Sequence, residues 1–526
     1  MVTKDILNIA SKEMKFTLNE DEFNAFLEEF VLIQKQFELL ANVKGVDEYE
    51  PIIEPFNLDS FNNDFESSKL IDYKCDSSLI MELHQALLNG DITPLELVKS
   101  AIEKAKKDDN NAFEYICEEE ALTAVKQLDP FKKNNLLWGI PYALKDNFYT
   151  EGIPTKASSN LLDGYIPNFD SEVCRLLKEQ GAILIGKTTM DELAMGGQGS
   201  SGHLGRTFNP WDISHEHIIG GSSSGSAAAC ASGIVPFAIG SDTGDSARKP
   251  ASYSNLVGFK PTWGNISNKG LIPFAPSLDT VGFFTRNVID SEIVLSTLTN
   301  KLVKNDVKCL KIAIIDEIYD SMTNTTIKKA FEKVVSELEK QGVIFDHVHL
   351  DINICRAIVP AYSILSNSEG TLSNLSLDEI TSKNRTESLS RLTKKRLIIG
   401  RFALMEENYN ELYLRAQKYR HLINDKINDI LKQYNAIYLP SSMNSAPRFE
   451  EEFDRLSDEF LIGDNYLAIA NFGGLPSITI PLGFENELPF GGNLIGRIFD
   501  EGTLLVIGKK IEDIVGLTNL LPETHK

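Results

Sequence analysis

The sequence lacks the features that mark membrane, secreted and metal-clustered proteins. No stretch approaches the ~20 consecutive apolar residues of a membrane span, and the opening MVTKDILNIASKEMKF has no apolar run of signal-peptide length. The six cysteines are widely spaced, with no CxxC pair and no zinc-finger pattern. We therefore predict a soluble, cytoplasmic protein with reduced thiols, no metal site and no membrane partner.

Positive charge is also scarce. The 526 residues carry 52 Lys and Arg against 75 Asp and Glu, which gives a net charge of -23. A chain that holds nucleic acid by itself needs clustered basic residues to neutralise phosphates. Any nucleic acid substrate is therefore expected to be held mainly by a partner. The hydrophobic share of 42% and the charged share of 24% are ordinary for globular proteins, which excludes disordered and collagen-like classes.

The first 75 residues differ in composition from the rest, because they contain many acids, few lysines and no arginine. Apolar residues recur at helical spacing after Asn19, which forms a capping-box pattern with Glu22. Residues 45–68 contain two prolines, many acids and no sustained period, which indicates an extended strap. Such a segment cannot bury its own apolar stripe. We therefore predict that it packs on the larger remainder, residues 76–526.

From residue 76 onward the pattern alternates between strands and helices. DSEVCRLLKEQ predicts a helix that ends at Gly181, and AILIG after it predicts a buried strand. A second unit consists of the strand LKIAIID, an amphipathic helix over residues 327–340 and the strand VIFDHVHL. This alternation predicts an α/β fold with a central sheet covered by helices on both faces, preceded by a small helical N-terminal extension.

The centre of the chain is rich in serine and glycine. Residues 220–250 read GGSSSGSAAACASGIVPFAIGSDTGDSARKP, and the first half places small residues where bulky ones would be expected, which indicates close backbone packing. GSDTGDS predicts a second turn that presents backbone N–H groups around Ser246, an arrangement suited to an oxyanion. A reactive serine needs a base, and the eight histidines give no convincing triad order. The pattern alone therefore leaves the base unassigned.

Several separated segments resemble the amidase signature family. They are WGIPYALKDN, IGKTTMDELAMG, GGSSSGSAAA and GSDTGDSARKP, followed by VGFKP, SLDTVGFFTRNVIDSE and GGLPSITIPLGF, so that the resemblance covers roughly residues 77–515. It implies the amidase signature fold, with a central mixed β-sheet between layers of helices. It also implies that Lys145, a serine held by a cis peptide bond, Ser222, and a nucleophilic serine, Ser246, act together.

The chemistry suits these residue types. Burial disfavours the ammonium form and lowers a lysine pKa by several units, and the apolar run WGIPYA before Lys145 predicts that it is buried. The neutral amine can then accept a proton through Ser222 from Ser246, which attacks a carboxamide carbon. Backbone N–H groups would stabilise the oxyanion, each contributing about 3–4 kcal/mol. The candidate donors are Thr243, Gly244, Asp245 and Ser246.

Two residues depart from the family pattern. Asp245 stands where a second glycine is usual, and if this position requires a positive φ the side chain costs roughly 1–2 kcal/mol. A carboxylate that points inward there would also weaken the oxyanion hole. Ser224 replaces another usual glycine and is small enough to be tolerated. Neither change removes a catalytic group.

Three short patterns match other motifs. Residues 181–188, GAILIGKT, satisfy the phosphate-loop pattern, but that loop must be irregular, whereas AILI indicates a buried strand. Residues 221–225, GSSSG, match a nucleophile elbow and would nominate Ser223, yet the preceding ISHEHII is a poor strand. His215 and His217 lack the HExxH spacing of a zinc site. We interpret the three as a strand, a turn and a loop.

The N-terminal segment narrows the substrate. LNEDEFNAFLEEF, ELLANVKGVDEYEP and the acidic strap resemble the small C subunit of the tRNA-dependent amidotransferases, fused in front of an A subunit. This resemblance implies a glutaminase that supplies ammonia for the transamidation of Glu-tRNA(Gln) or Asp-tRNA(Asn). ATP and Mg²⁺ are then expected in a B-type partner, which also holds most of the charged tRNA, and no cofactor is expected in this chain.

Two charged residues are candidates for binding glutamine. The resemblance assigns the acid that meets the substrate ammonium to Asp464, in GDNYLAIANFGGLP, and the arginine near the substrate carboxylate to Arg396, in TKKRLIIGRFAL. Residues 373–384, SNLSLDEITSKN, lack the tyrosine and arginine of their family counterpart. That part of the pocket is left undefined.

Other hypotheses stay open on the sequence alone. The chain could be a stand-alone amidase that acts on a free small carboxamide, with the N-terminal segment serving only as a helical cap. It could also be a catalytically silent scaffold of an amidotransferase complex, which Asp245 makes conceivable. The sequence does not indicate which tRNA is served or the oligomeric state.

Overall fold

The computed structural model describes residues 3–52, 78–130, 135–299, 309–463 and 465–523. Within these ranges the strands are β1 (Phe113–Ile116), β2 (Pro141–Lys145), β3 (Ile183–Thr188), β4 (Phe237–Asp242), β5 (Val257–Lys260), β6 (Thr280–Thr285), β7 (Lys311–Ile315), β8 (Ile344–Val348), β9 (Ala436–Pro440), β10 (Ser477–Glu485) and β11 (Leu488–Gly496). They form one eleven-stranded sheet in the order β1-β3-β2-β4-β6-β5-β10-β11-β9-β7-β8.

The helices lie between and around these strands. In chain order they are α1 (Lys4–Glu13), α2 (Glu20–Ala41), α3 (Leu79–Asn89), α4 (Pro94–Lys106), α5 (Glu118–Lys126), α6 (Glu172–Glu179), α7 (Ser224–Ala231), α8 (Arg248–Tyr253), α9 (Val288–Thr299), α10 (Asp316–Asp320), α11 (Thr325–Lys340), α12 (Ile352–Arg356), α13 (Ile358–Ser376), α14 (Arg385–Ser388), α15 (Arg391–Ala403), α16 (Glu406–Asn408), α17 (Arg415–Gln433), α18 (Asp458–Gly463), α19 (Ala468–Phe472) and α20 (Glu501–Val515). None of the helices in the described ranges is both long enough and apolar enough to span a membrane.

The sheet is mixed, as predicted. β2 pairs in parallel with β3 and β4, and β7 pairs in parallel with β8 and β9. The other neighbouring strands pair antiparallel. The predicted strand–helix–strand unit is confirmed as β7, α11 and β8.

Helices cover both faces of the sheet, because successive strand residues enter two different hydrophobic cores. On β2, Ala143 lies in the smaller core, whereas Tyr142 and Leu144 lie in the larger one. On β6, Phe284 and Phe283 are divided in the same way. The smaller core is completed by α4, α5 and α7, and the larger one by helices that include α9, α11, α13, α15 and α20. The predicted two-faced architecture is confirmed.

The N-terminal helices α1 and α2 join the larger core. Leu7, Phe26 and Phe30 are fully buried in it. The predicted capping box is present at the start of α2, where the Glu22 N–H donates to Asn19 Oδ1 over 2.9 Å and the Asn19 N–H donates to Glu22 Oε2 over 3.0 Å. Each bond satisfies a backbone donor that has no partner within the helix.

The predicted strap, residues 45–68, is described only up to Ile52. In that part Asp47 forms an ion pair with Arg415, and His421 donates to the backbone oxygen of Glu50 over 2.9 Å, so this part lies on α17. The remainder of the strap lies outside the described residues. The division of the chain at residue 75 falls there too and stays a prediction.

The phosphate-loop match is a strand, as predicted, because β3 covers most of it. Lys187 is fully buried. Its Nζ donates to the Phe148 backbone oxygen and to Thr155 Oγ1, each over 2.8 Å, and lies 3.3 Å from Asp146 Oδ1. This lysine is therefore committed to internal partners.

Residues 215–217, which contain His215 and His217, lie in a loop, as predicted. The Asp212 carboxylate accepts hydrogen bonds from the N–H groups of Glu216 over 2.8 Å and of His217 over 2.7 Å, and from the His217 ring over 2.9 Å. These bonds close the loop around one aspartate. They explain the two histidines as parts of a turn.

Candidate active site

The candidate site forms where β2 and β4 end beside the start of α7. Lys145 is the last residue of β2, and Ser241 is the penultimate residue of β4. Because these strands are parallel neighbours, their carboxyl ends lie at the same edge of the sheet. Ser222 lies two residues before α7, which packs on both strands. Residues far apart in the chain thus meet at one point.

Lys145 is the centre of a buried hydrogen-bonding group. Its Nζ donates to Ser222 Oγ over 2.7 Å and to Ser241 Oγ over 2.9 Å, and the residue is fully buried. Asn147 Nδ2 donates to the same Ser241 hydroxyl over 3.1 Å. Burial lowers the pKa of Lys145 to about 7, against the opposing influence of three nearby carboxylates. A substantial fraction of this lysine is therefore neutral at physiological pH.

Ser222 is held by a tightly packed backbone. The Gly221–Ser222 peptide bond is cis, and the Ser222 carbonyl accepts from the Asp191 N–H over 3.2 Å. A Cβ at Gly221 would lie 2.0 Å from Asp191 Oδ2, so only glycine fits beside this carboxylate. Asp191 in turn accepts from the Gly199 N–H over 2.9 Å. These contacts explain why a glycine must precede the serine.

Ser246 lies in the turn after β4 and is joined to the Ser222 segment through the backbone. The Ser223 N–H donates to the Ser246 carbonyl over 3.3 Å, and the Ser223 hydroxyl donates to the Ser241 carbonyl over 3.0 Å. The hydroxyl of Ser223, the candidate nucleophile of the elbow motif, is therefore engaged in a hydrogen bond within the protein. Across the described ranges, no protein acceptor is found for the N–H groups of Gly244 and Ser246. The turn therefore offers donors to a bound group.

Asp245 does not adopt the strained backbone that raised concern. Its φ is not among the positive values in the structure, so the left-handed strain does not arise. Its carboxylate forms an ion pair with Lys249, one helical turn later, with 3.1 Å between Nζ and Oδ2. The lysine offsets the negative charge beside the turn. Ser224, the other departure, is buried, and its hydroxyl lies 3.1 Å from Thr207 Oγ1.

A buried ion pair, Asp242 with Arg248, holds the serine turn in place. Arg248 Nη2 lies 2.9 Å from Asp242 Oδ1 and donates to the Gly244 carbonyl over 2.7 Å, and both charged side chains are fully buried. Asn471 Nδ2 also donates to Asp242 Oδ1 over 2.9 Å. Burial raises the pKa of Asp242, but Arg248 and the hydrogen bonds outweigh it and lower the pKa to about 2. The aspartate stays ionised and fixes the turn.

Tyr362 of α13 covers the same turn. A Cβ at Gly244 would lie 2.6 Å from Tyr362 Cζ, so the ring rests directly on this glycine. Burial raises the pKa of the Tyr362 hydroxyl, and the positive charge of Arg396 opposes the rise. Arg396 is a half-buried residue of α15. Helix α15 packs against α13, so Arg396 and Tyr362 lie on neighbouring helices.

The structure thus unites three predicted positions and adds others. Lys145 and Ser222 are in direct contact, Ser246 is tied to the residue after Ser222, and the catalytic role of all three stays a prediction. Arg396 lies on the helix that packs against the helix of Tyr362, whereas Asp464 lies outside the described residues. Sequence reasoning missed two polar groups of the motif GSDTGDSAR, Ser241 and the Asp242–Arg248 pair, and also Asn147 and Tyr362. The motif signalled the first two, but nothing local signalled Tyr362.

The amidase family profile, described as "Amidase", matches residues 96–505. The chain belongs to this family. The A subunit of the glutamyl-tRNA(Gln) amidotransferase of Staphylococcus carnosus is 35% identical over 474 residues, which is 82% of this chain and 96% of that one. The protein of the same name from Persephonella marina is 34% identical over 484 residues, or 84% of this chain and 98% of that one.

Solved structures show the same fold. The crystal structure of the glutamyl-tRNA(Gln) amidotransferase A subunit from Thermotoga maritima aligns with a TM-score of 0.69 and 31% identity, over 86% of this chain and 99% of that one. A crystal structure described as an amidase aligns with a TM-score of 0.73 and 27% identity, over 83% of this chain and all of that one. The amidase signature fold, expected from the motifs, is confirmed.

Proposed function

We propose that this chain is the glutaminase subunit of a tRNA-dependent amidotransferase. It hydrolyses the side-chain amide of glutamine, and the ammonia serves to convert Glu-tRNA(Gln) to Gln-tRNA(Gln), Asp-tRNA(Asn) to Asn-tRNA(Asn), or both. Relatives named as the A subunit of such an enzyme match most of the chain at 34–35% identity. The observation that carries the chemistry is the 2.7 Å contact between Lys145 Nζ and Ser222 Oγ in a fully buried setting.

The first half-reaction acylates Ser246. Its hydroxyl oxygen attacks the carboxamide carbon, while its proton passes to the Ser222 oxygen and the Ser222 proton passes to the neutral Lys145 amine. The tetrahedral oxyanion is held by N–H groups of the turn that includes Gly244. When the carbon–nitrogen bond breaks, the proton returns from Lys145 through Ser222 to the leaving nitrogen. Ammonia and a glutamyl ester of Ser246 result.

The second half-reaction regenerates the enzyme. Water attacks the ester carbon, and its proton follows the same path through Ser222 to Lys145. Collapse of the second tetrahedral intermediate returns the proton to the Ser246 oxygen and releases glutamate. Ser241 and Asn147 keep the lysine amine directed at Ser222, since Ser241 accepts from both side chains.

Recognition of glutamine needs two opposite charges in addition to this machinery. The guanidinium of the half-buried Arg396 can pair with the substrate carboxylate in a bidentate manner, and its charge acts on the hydroxyl of Tyr362, whose ring covers the turn. We assign the substrate ammonium to Asp464. Removal of either charge should raise the KM for glutamine more than it lowers kcat, because neither group takes part in bond breaking.

The remaining parts of the proposed enzyme lie in partners. The transamidation needs activation of the tRNA-linked carboxylate, so we assign ATP, Mg²⁺ and most tRNA contacts to a B-type subunit. No cofactor is required for the hydrolysis by this chain. Residues 1–75 take the place of a small C-type subunit, which agrees with the way that α1 and α2 join the larger core.

The decisive experiment measures ammonia release from glutamine by the purified chain, alone and with a B-type subunit, charged tRNA and ATP. We expect the complete system to be much faster, and Ser246→Ala to be inactive in both. Full activity on a simple aryl amide without a partner would instead identify a stand-alone amidase. Absence of any adduct with an electrophilic glutamine analogue, in a normally stable protein, would identify a silent scaffold.

A further inference from the structure

Helices α13 and α15 form a closely packed pair that carries Tyr362 and Arg396. A Cβ at Gly400 of α15 would lie 1.9 Å from the Asn367 carbonyl and 2.3 Å from Thr371 Oγ1, both on α13. The two backbones therefore approach as closely as glycine allows. Tyr362 lies on α13 and Arg396 on α15, so a shift of this pair relative to the sheet would move both residues together relative to the serine turn.

Two ion pairs join helix α2 to α15 immediately beside Arg396. Lys394 Nζ lies 3.0 Å from Glu22 Oε1, and this pair is almost fully buried. Lys395 forms a second ion pair with Glu29, in which the side chains are 16% and 30% exposed. Two consecutive lysines thus join α15 to two acids that lie about two turns apart on the same face of α2. Arg396 is the next residue of α15.

Further contacts join α1 and α2 to α15 along its length. The Phe30 ring of α2 meets the Phe402 ring edge-on, with 5.8 Å between centroids. The Arg391 guanidinium lies 5.9 Å from the centroid of the Phe26 ring. Near the end of α15, Arg401 forms an ion pair with Glu13 of α1. The N-terminal helices therefore fix both the axial position and the rotation of α15.

Rotation matters because Arg396 extends from the helix surface. Successive helical residues are separated by about 100°, and side chains reach roughly 5–6 Å from the axis. A rotation of about 10° would displace the guanidinium by roughly 1 Å, and a misplacement of this size in a substrate-positioning group can cost up to about 100-fold. The ion pairs of Lys394 and Lys395 oppose this rotation.

We propose that α2 acts as a built-in positioning element for Arg396, and that the Glu29–Lys395 pair sets the affinity for the substrate carboxylate. This inference rests on the proposed function. It assigns to the N-terminal segment a role beyond cover for an apolar surface. Glu29 is the residue to test, because Glu22 also forms the cap of α2 and its replacement would disturb the helix start.

The test follows covalent labelling of the full chain by 6-diazo-5-oxo-L-norleucine, an electrophilic glutamine analogue that alkylates the serine oxygen at its terminal carbon with loss of N2, with intact-mass detection. We compare wild type with Glu29→Gln and with the reversed pair Glu29→Lys/Lys395→Glu. The matched control is Glu28→Gln, since Glu28 is exposed and has no ion pair in the described part of the chain. We expect Glu29→Gln to raise the half-saturating concentration about tenfold at an unchanged limiting rate, and the reversed pair to restore it.

A second reagent separates positioning from general damage. Phenylmethylsulfonyl fluoride reacts with an activated serine but has no carboxylate for Arg396, so its rate should be equal in all variants. The proposal is overturned if Glu29→Gln behaves as Glu28→Gln with the glutamine analogue, or if the sulfonyl fluoride reaction slows in parallel. If Glu29→Gln is insoluble, Lys395→Gln removes the same ion pair from the other side and gives the same comparison.

The outcome for wild type distinguishes the two proposals. A wild-type chain that reacts with the sulfonyl fluoride but not with the glutamine analogue would overturn the proposed glutaminase function, and this inference with it. A wild-type chain that reacts with both, combined with an unchanged half-saturating concentration for Glu29→Gln, would overturn the positioning role alone.

Discussion

The charge state of one lysine governs the proposed chemistry. Because burial lowers the pKa of Lys145 to about 7, the amine is neutral above that pH and able to accept the serine proton. We expect kcat/KM for glutamine to rise through about pH 7 and then level off. Initial rates between pH 5.5 and 9 measure this. Lys145→Met should remain folded and be inactive throughout, and a flat wild-type profile between pH 6 and 8 would contradict the lysine-driven relay.

The same pKa also affects stability. In the unfolded chain Lys145 keeps its usual pKa of about 10.5, so between about pH 7 and 10.5 unfolding takes up a proton. The free energy of unfolding should therefore rise with pH in this window, by up to about 1.4 kcal/mol per pH unit from this group. Below pH 7 Lys145 is protonated in both the folded and the unfolded chain. The full free-energy cost of burying its charge therefore persists there.

Lys145→Met tests this linkage. The variant lacks the contribution of the lysine, so its pH dependence of unfolding by denaturant between pH 7 and 10 should be shallower than that of wild type. Lys260, whose pKa burial also lowers to about 7, leaves a residual slope. Lys99→Met, at an exposed position, should keep the wild-type slope. If unfolding of Lys145→Met and wild type depended on pH in the same way, the pKa of Lys145 would not be lowered in the folded protein.

Motifs predicted the identity of the central residues but not their surroundings. Lys145, Ser222 and Ser246 could be placed because each lies in a recognisable segment. Tyr362 could not, since it reaches Gly244 across more than 100 residues and its own helix carries no signal. The consequence of Asp245 could not be decided either, because the answer depended on a backbone angle and on Lys249, one turn further along α8.

At the scale of elements, local patterns predicted whether a segment is a helix or a strand better than which other elements it packs against. The apolar run before Lys187 predicted the strand β3 against a formal phosphate-loop match, because hydrophobic periodicity reflects burial. Asn19 and Glu22 predicted the start of α2 for the same local reason. Which helices meet is a different matter, because periodicity shows that a helix has a buried face and not what covers it. The approach of α13 and α15 at Gly400 was therefore beyond the sequence.

Gly400→Ala tests how tightly α13 and α15 are joined. Alanine favours a helix over glycine by about 1 kcal/mol, but its Cβ would lie 1.9 Å from the Asn367 carbonyl, so the helices must separate. We expect a net loss of about 1–3 kcal/mol in unfolding free energy and a raised KM for glutamine, measured by denaturant unfolding and steady-state kinetics. Gly197→Ala, with nothing within 4 Å, is the control. A stabilised Gly400→Ala would contradict the close approach.

At the scale of the whole molecule, the N-terminal helices belong to the core of the larger unit. Leu7, Phe26 and Leu40 are fully buried, although composition alone marked the first 75 residues as a separate segment. The sequence showed that this segment needed a covering surface but not that α15 would provide part of it. Its acids include Glu22 and Glu29, which form ion pairs with lysines of that helix.

If residues 1–75 stand in for a separate small polypeptide, the covalent connection should be dispensable. Two polypeptides, residues 1–60 with an affinity tag and residues 61–526 without one, should co-purify after coexpression. Apolar burial rather than exposed charge should hold them, so the pair should survive 1 M NaCl, where the Debye length is about 3 Å. Phe30→Asp in the short chain places a charge at a fully buried position and should abolish recovery of the long chain. Recovery of a stable, soluble long chain without the short one would contradict the shared core.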